Sequence, residues 1–135
     1  MSLLSALRRL FRPGRTPAAG QAHSSVGPSY ELFVYIKIPA SIAPLERARR
    51  FEDPLDAALK RAGVGEVSGG GSQLSGADDE GKRQIVFCGI DVDLTNADAG
   101  LALLHRELAH LQVPEGTVLE YERDGQEYEE AVARP

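Results

Sequence analysis

Two aspartates, three aromatic rings, one cysteine and two helical histidines are the residues of this 135-residue chain whose types and spacing could do chemistry. Asp91 and Asp93 lie two apart in the stretch Ile85–Leu94, IVFCGIDVDL. On a strand that spacing puts both carboxylates on one side, about 7 Å apart. Paired carboxylates can bind a hard cation or act as acid and base. A cation site needs more oxygen ligands than two, and no further ligand follows from the spacing. The expectation is therefore solvated strand carboxylates, with no metal and no cofactor assigned. Phe87 shares their side of the strand, and Phe33 and Tyr35 alternate in the same way along YELFVYIKI. These five residues (Phe33, Tyr35, Phe87, Asp91 and Asp93) form the candidate binding or interface set.

The remaining reactive types fit structural roles better. Cys88 alternates to the opposite side of the strand from Asp91 and reads as a small buried hydrophobe. His105 and His110 are five positions apart on a helix and turn about 140° from each other. They cannot share a metal as an i, i+4 pair can. Gly69-Gly70-Gly71 has no Gly-Lys-Ser/Thr ending and no helix after it, so an irregular edge strand is expected in place of a phosphate loop. Asp78-Asp79-Glu80 lacks the spacing of a calcium loop. No catalytic residue is assigned.

The elements that must position these residues are legible in order. Tyr30–Ile38 is β-branched and aromatic, a strand. Pro39 and Pro44 bracket a loop, after which Pro44–Phe51 can add a helical turn or two. Asp53-Pro54 predicts a helix start, with Leu55, Ala58, Leu59 and Ala62 as its apolar stripe and Gly63 as its stop. Gly65–Leu74 is a weaker strand, Gly76–Lys82 an exposed turn, and Ile85–Leu94 a second strong strand. Thr95, with Asp98 three residues on, predicts a capped helix whose stripe is Leu101, Leu104, Leu108 and Leu111. Pro114-Glu115-Gly116 turns into a last strand, Thr117–Arg123. The segments are thus a basic N-terminal part over 1–29, an α+β domain over 30–123 and an acidic C-terminal tail over 124–135.

Composition constrains the partners. The net charge is −5, but residues 1–28 carry Arg8, Arg9, Arg12 and Arg15 and no acid, leaving −9 on the rest. So acidic a domain repels polyanions, and nucleic acid is excluded as a partner on this ground. Leu3, Leu4, Leu7, Leu10 and Phe11 recur at near-helical spacing among the arginines, up to the stop at Pro13-Gly14. That pattern fits a flexible or partner-docked extension; contact with a membrane surface through Leu3, Leu7, Leu10 and Phe11, or organelle targeting, are the alternatives. No apolar run approaches the roughly 20 residues that span a bilayer. The single cysteine excludes an internal disulfide and fits a reducing, cytoplasmic setting.

The order β-α-β-β-α-β resembles the ferredoxin-like fold over about 95 of 135 residues. The resemblance implies a four-stranded antiparallel sheet, first and third strands central, with two helices on one face. No cysteine cluster accompanies it, so no iron–sulfur chemistry is implied. Gly65-Glu66-Val67, Cys88-Gly89-Ile90-Asp91-Val92-Asp93 and Pro114-Glu115-Gly116-Thr117 look like small uncharacterised bacterial proteins of this shape. Aromatic rings on the first and third strands resemble an RNA-recognition motif. Gln84–Asp91 lacks that motif's basic-Gly-Phe pattern, and Asp91 and Asp93 oppose it. The functional expectation is a non-enzymatic protein-interaction module, such as an immunity-type inhibitor of a basic partner. A dimeric small-molecule-sensing domain and a small enzyme of dimeric ferredoxin-like type, using Asp91, Asp93 or Tyr35, are the alternatives.

Overall fold

The computed structural model describes residues 29–133. The elements run β1 (Leu32–Ile38), α1 (Pro44–Arg47), a π-helical turn (Ala48–Glu52), α2 (Asp53–Ala62), β2 (Gly65–Leu74), β3 (Ile85–Leu94), α3 (Ala97–His110), β4 (Val118–Arg123) and β5 (Gln126–Ala131). They build an α+β fold with one antiparallel sheet of five strands in the order β2-β3-β1-β4-β5. The expectations for the N-terminal segment fall outside the described residues. Among the described residues, no helix is long and apolar enough to cross a membrane.

Strand alternation decides where the core sits. Val34, Ile36 and Ile38 of β1 and Cys88, Ile90, Val92 and Leu94 of β3 are fully buried in one cluster. Leu55 and Leu59 of α2 and Leu104 and Leu108 of α3 meet them from the helical layer. Each such leucine contributes about 1.5–3 kcal/mol of burial. The two apolar stripes predicted from periodicity are these helix faces, except that Ala62 at the end of the first is exposed; Leu111 packs partly buried at the end of the second.

Three expectations need correction. The sheet has five strands, because Gln126–Ala131, expected as part of the acidic tail over 124–135, pairs with β4 from Val118↔Ala131 to Arg123↔Gln126. The reversal is made by Asp124 (φ 54°) and Gly125 (φ 80°), the two left-handed residues that a two-residue hairpin matching strand twist requires. The helical turns expected over Pro44–Phe51 form, starting at Pro44 after extended Ala43, but they run on without a break through Asp53, so no new helix starts there. Pro54 therefore lies inside a continuous helical run, where its ring would strike the carbonyl four residues back and it has no N–H to give. The π turn over Ala48–Glu52 widens the coil just before it, with the Asp53 N–H bonding to Ala48 O, and relieves that conflict. Finally, α3 is capped by Asn96, whose Oδ1 accepts from Ala99 N at 3.1 Å, one residue after the expected Thr95. Glu31 Oε1 accepts from Ala97 N at 2.8 Å and ties the entry of β1 to that helix start.

Candidate functional site: the helix-free sheet face

Residues of opposite parity to the core lie on the sheet face that neither helical segment covers. Strand register sorts them into rows. Across one row Gly69, Asp91, Tyr35, Glu120 and Glu129 are successive neighbours from β2 to β5. In the next, Glu66, Asp93 and Phe33 stand side by side. A third holds Gly71, Gly89, Lys37, Val118 and Ala131. Glu122 and Glu127 also pair across β4 and β5. Directly opposed side chains on antiparallel strands have Cβ atoms about 4.5–5.5 Å apart, and like charges so placed repel.

The five residues singled out from sequence all fall on this face, and register brings four of them into opposed pairs: Phe33 with Asp93 and Tyr35 with Asp91. Phe87 lies near the start of β3, where Lys37 Nζ sits 4.6 Å from the centre of its ring. The environment differs from the expected solvated one. Asp93 is 1% exposed, Tyr35 8% and Phe87 9%, while Phe33 and Asp91 are half-buried. Glu120, 2% exposed, belongs to the same set. The Tyr35 ring lies over Gly89, where a Cβ would overlap it, so glycine is needed for the ring to seat. The result is an aromatic floor on β1 and β3 with carboxylates beside it on β2, β3, β4 and β5.

Glu120 and Glu129 were not singled out from sequence. Glu120 was readable from the alternation of Thr117–Arg123, whereas Glu129 required recognising β5. The signal for β5 was Asp124-Gly125, a two-residue hairpin turn.

Two polar clusters lie away from this face. Tyr121 Oη donates to Glu130 Oε2 at 2.6 Å, and His105 Nε2 lies 2.9 Å from Glu130 Oε1. Tyr121 also stacks on Tyr128, centroids 5.2 Å apart. This cluster fastens β5 to α3 and β4, and it gives His105 a structural task that its spacing did not suggest. Second, the buried Arg47 bonds Glu52 through Nε, and its Nη1 donates to Gly71 O and Ser72 Oγ, both at 3.0 Å. The pair fits because Gly70 has no Cβ, which would lie 3.1 Å from Glu52 Cδ and 3.2 Å from Arg47 Nε. On the core side of β3, next to β2, Cys88 is fully buried, and burial pushes its thiol pKa up against the opposing pull of Arg47. Among the described residues, no three His, Cys, Asp or Glu side chains are grouped to hold a metal ion.

No protein-family model matches the chain, and neither does a curated protein or a solved structure.

Proposed function

We propose that this protein is a protein-interaction module that binds a basic, amphipathic segment of a partner on its helix-free sheet face. The observation that carries this reading is the row Asp91–Tyr35–Glu120–Glu129, an aromatic ring between carboxylates, with Asp93 and Phe33 beside it. Arginines flanking an apolar stripe fit such a face, since guanidinium groups pair with carboxylates and stack on rings. An inhibitor that neutralises a basic partner is one form this takes. Sheet-to-sheet dimerisation is the weaker reading, because a two-fold contact would set each copy's carboxylates against the same groups of the other. The arrangement of β1 to β4 with the two helical segments supports a ferredoxin-like unit, to which β5 is an addition.

The test is a titration of isotope-labelled full-length chain with a peptide of leucine and arginine at helical spacing. The expected amide shifts fall on β1, β3 and β4 around Tyr35, Asp91 and Glu120. Binding is expected to weaken by about tenfold or more between about 50 mM and about 500 mM salt. Shifts confined to the α2 and α3 side, or none at saturating peptide, would overturn the reading.

A further inference from the structure

β5, QEYEEA, brings little apolar surface to the domain. None of its residues is buried, and its one large apolar side chain, Tyr128, is 39% exposed. Val34, Ile36 and Ile38 of β1 and Ile90, Val92 and Leu94 of β3 are by contrast fully buried in the core cluster. Parity turns Tyr128 and Glu130 toward α3, opposite Tyr121 and Leu119 of β4, and sends Glu127 and Glu129 to the helix-free side. On α3 the positions three and four apart that turn to β4 and β5 are Asp98, Ala102, His105 and Ala109. The ionisable groups of this seam are therefore Asp98 and His105 on α3, Tyr121 and Arg123 on β4, and Tyr128 and Glu130 on β5. Arg123 Nη1 reaches Asp98 Oδ1 at 2.8 Å, a contact that joins β4 to α3 and leaves β5 out. Glu130 joins all three elements. One of its oxygens accepts from Tyr121 Oη at 2.6 Å, and the other meets His105 Nε2 at 2.9 Å.

We propose that Tyr121, Glu130 and His105 form an acid-sensitive latch: in acid β5 comes away from β4 while the rest of the sheet stays closed, and the bared β4 edge pairs with the same edge of a second copy. The state of Glu130 sets the direction. Burial pushes its pKa up, but the hydrogen bonds from Tyr121 and His105 outweigh that and hold it below the usual carboxylate value. Stability of this kind is present above the unfolded value, near pH 4.3–4.5, and is lost as pH falls through the native one. The core-facing residues of β1 and β3 are aliphatic apart from Cys88, so their packing holds no carboxylate for acid to neutralise. Once β5 leaves, β4 presents a row of open backbone N–H and C=O groups, and two such edges can pair about a two-fold axis. The latch acts at the sheet edge and is independent of the partner site proposed on the helix-free face.

The test is amide hydrogen exchange on the full-length chain from about pH 6 to about pH 3.5, corrected for intrinsic rates, with light scattering alongside. In wild type the β5 amides are expected to lose protection about tenfold or more relative to β1 and β3 across this range. The scattering mass should double in acid and return on neutralisation. Glu130→Gln should show weaker β5 protection than wild type at the upper end and a flat profile below it. Glu129→Gln, on the other side of the same strand, should keep the wild-type response. Loss of β5 protection only in step with β1 and β3 overturns the latch. So does a wild-type response in Glu130→Gln or a flat one in Glu129→Gln. Selective opening of β5 with an unchanged mass overturns the pairing with a second copy.

Discussion

Glu130 shows how one carboxylate can fasten an edge. Burial pushes its pKa up, yet the hydrogen bonds from Tyr121 and His105 outweigh that and hold it below the usual carboxylate value. In turn burial and the adjacent Glu130 push the Tyr121 phenol far up, so it stays a donor. A carboxylate with a depressed native pKa stabilises the fold above its unfolded value, near pH 4.3–4.5, and that stability is lost as pH falls through the native value. Glu130→Gln should therefore flatten the acid limb of a stability-against-pH curve measured by urea unfolding. Its cost at pH 7 is about 1 kcal/mol, kept small by partial exposure of the carboxylate. An unchanged acid limb would show that Glu130 is not the linked group. Arg47 should matter more. Arg47→Ala leaves Glu52, Gly71 O and Ser72 Oγ without that donor in a buried setting and should cost about 3 kcal/mol in the same experiment. The double change Arg47→Met/Glu52→Gln should cost less than the two single changes summed, since it removes both charges together.

Elements divide by how much apolar periodicity they carry. The two strong strands and the leucine stripe of α3 were readable because burial imposes alternation or a 3.6-residue period on them. β5, QEYEEA, has almost no apolar signal, because it is an edge strand held by its turn and by Glu130 and Tyr128. Likewise, Asp53-Pro54 looks like a helix start by every local rule. The π turn, which brings Phe51 into the core just ahead of Leu55, lets the helix pass through. The site was legible in part. Parity alone put Phe33, Tyr35, Phe87, Asp91 and Asp93 on one face, while the burial of Asp93 and Tyr35 leaves no periodic trace. Pairings such as Tyr121–Glu130–His105 join residues 9 and 25 positions apart and leave no periodic trace. A chain ending at Gly125 should accordingly lose several degrees or more of melting temperature and associate through the bared β4 edge, as read by calorimetry and light scattering. A truncated chain that melts as wild type and stays monomeric would assign β5 no part in stability.

At the scale of the whole molecule, both sheet edges are poor templates for pairing with another chain. β2 carries Gly69, Gly70 and Gly71 and has register irregularities between Val67 and Gly69 and between Gln73 and Leu74. β5 presents Glu127, Glu129 and Glu130 within six residues. Bulges and charge each discourage edge-to-edge association. Under the proposed reading, a partner therefore meets the helix-free face of the sheet and not either edge.

Cys88, the chain's single cysteine, lies on the core side of β3, beside Ser72 of the glycine-rich strand, with no exposed surface. A thiol reagent can reach it only when the domain opens, so its modification rate is a clock for that opening. In native buffer the reaction should lag that of the unfolded chain by the same free energy that denaturant unfolding reports, tenfold for each 1.4 kcal/mol or so. Arg47→Ala should quicken the clock by its full equilibrium cost. Modification much faster than this, with circular dichroism unchanged, would reveal that β2 peels away from Cys88 while the rest of the sheet stays closed.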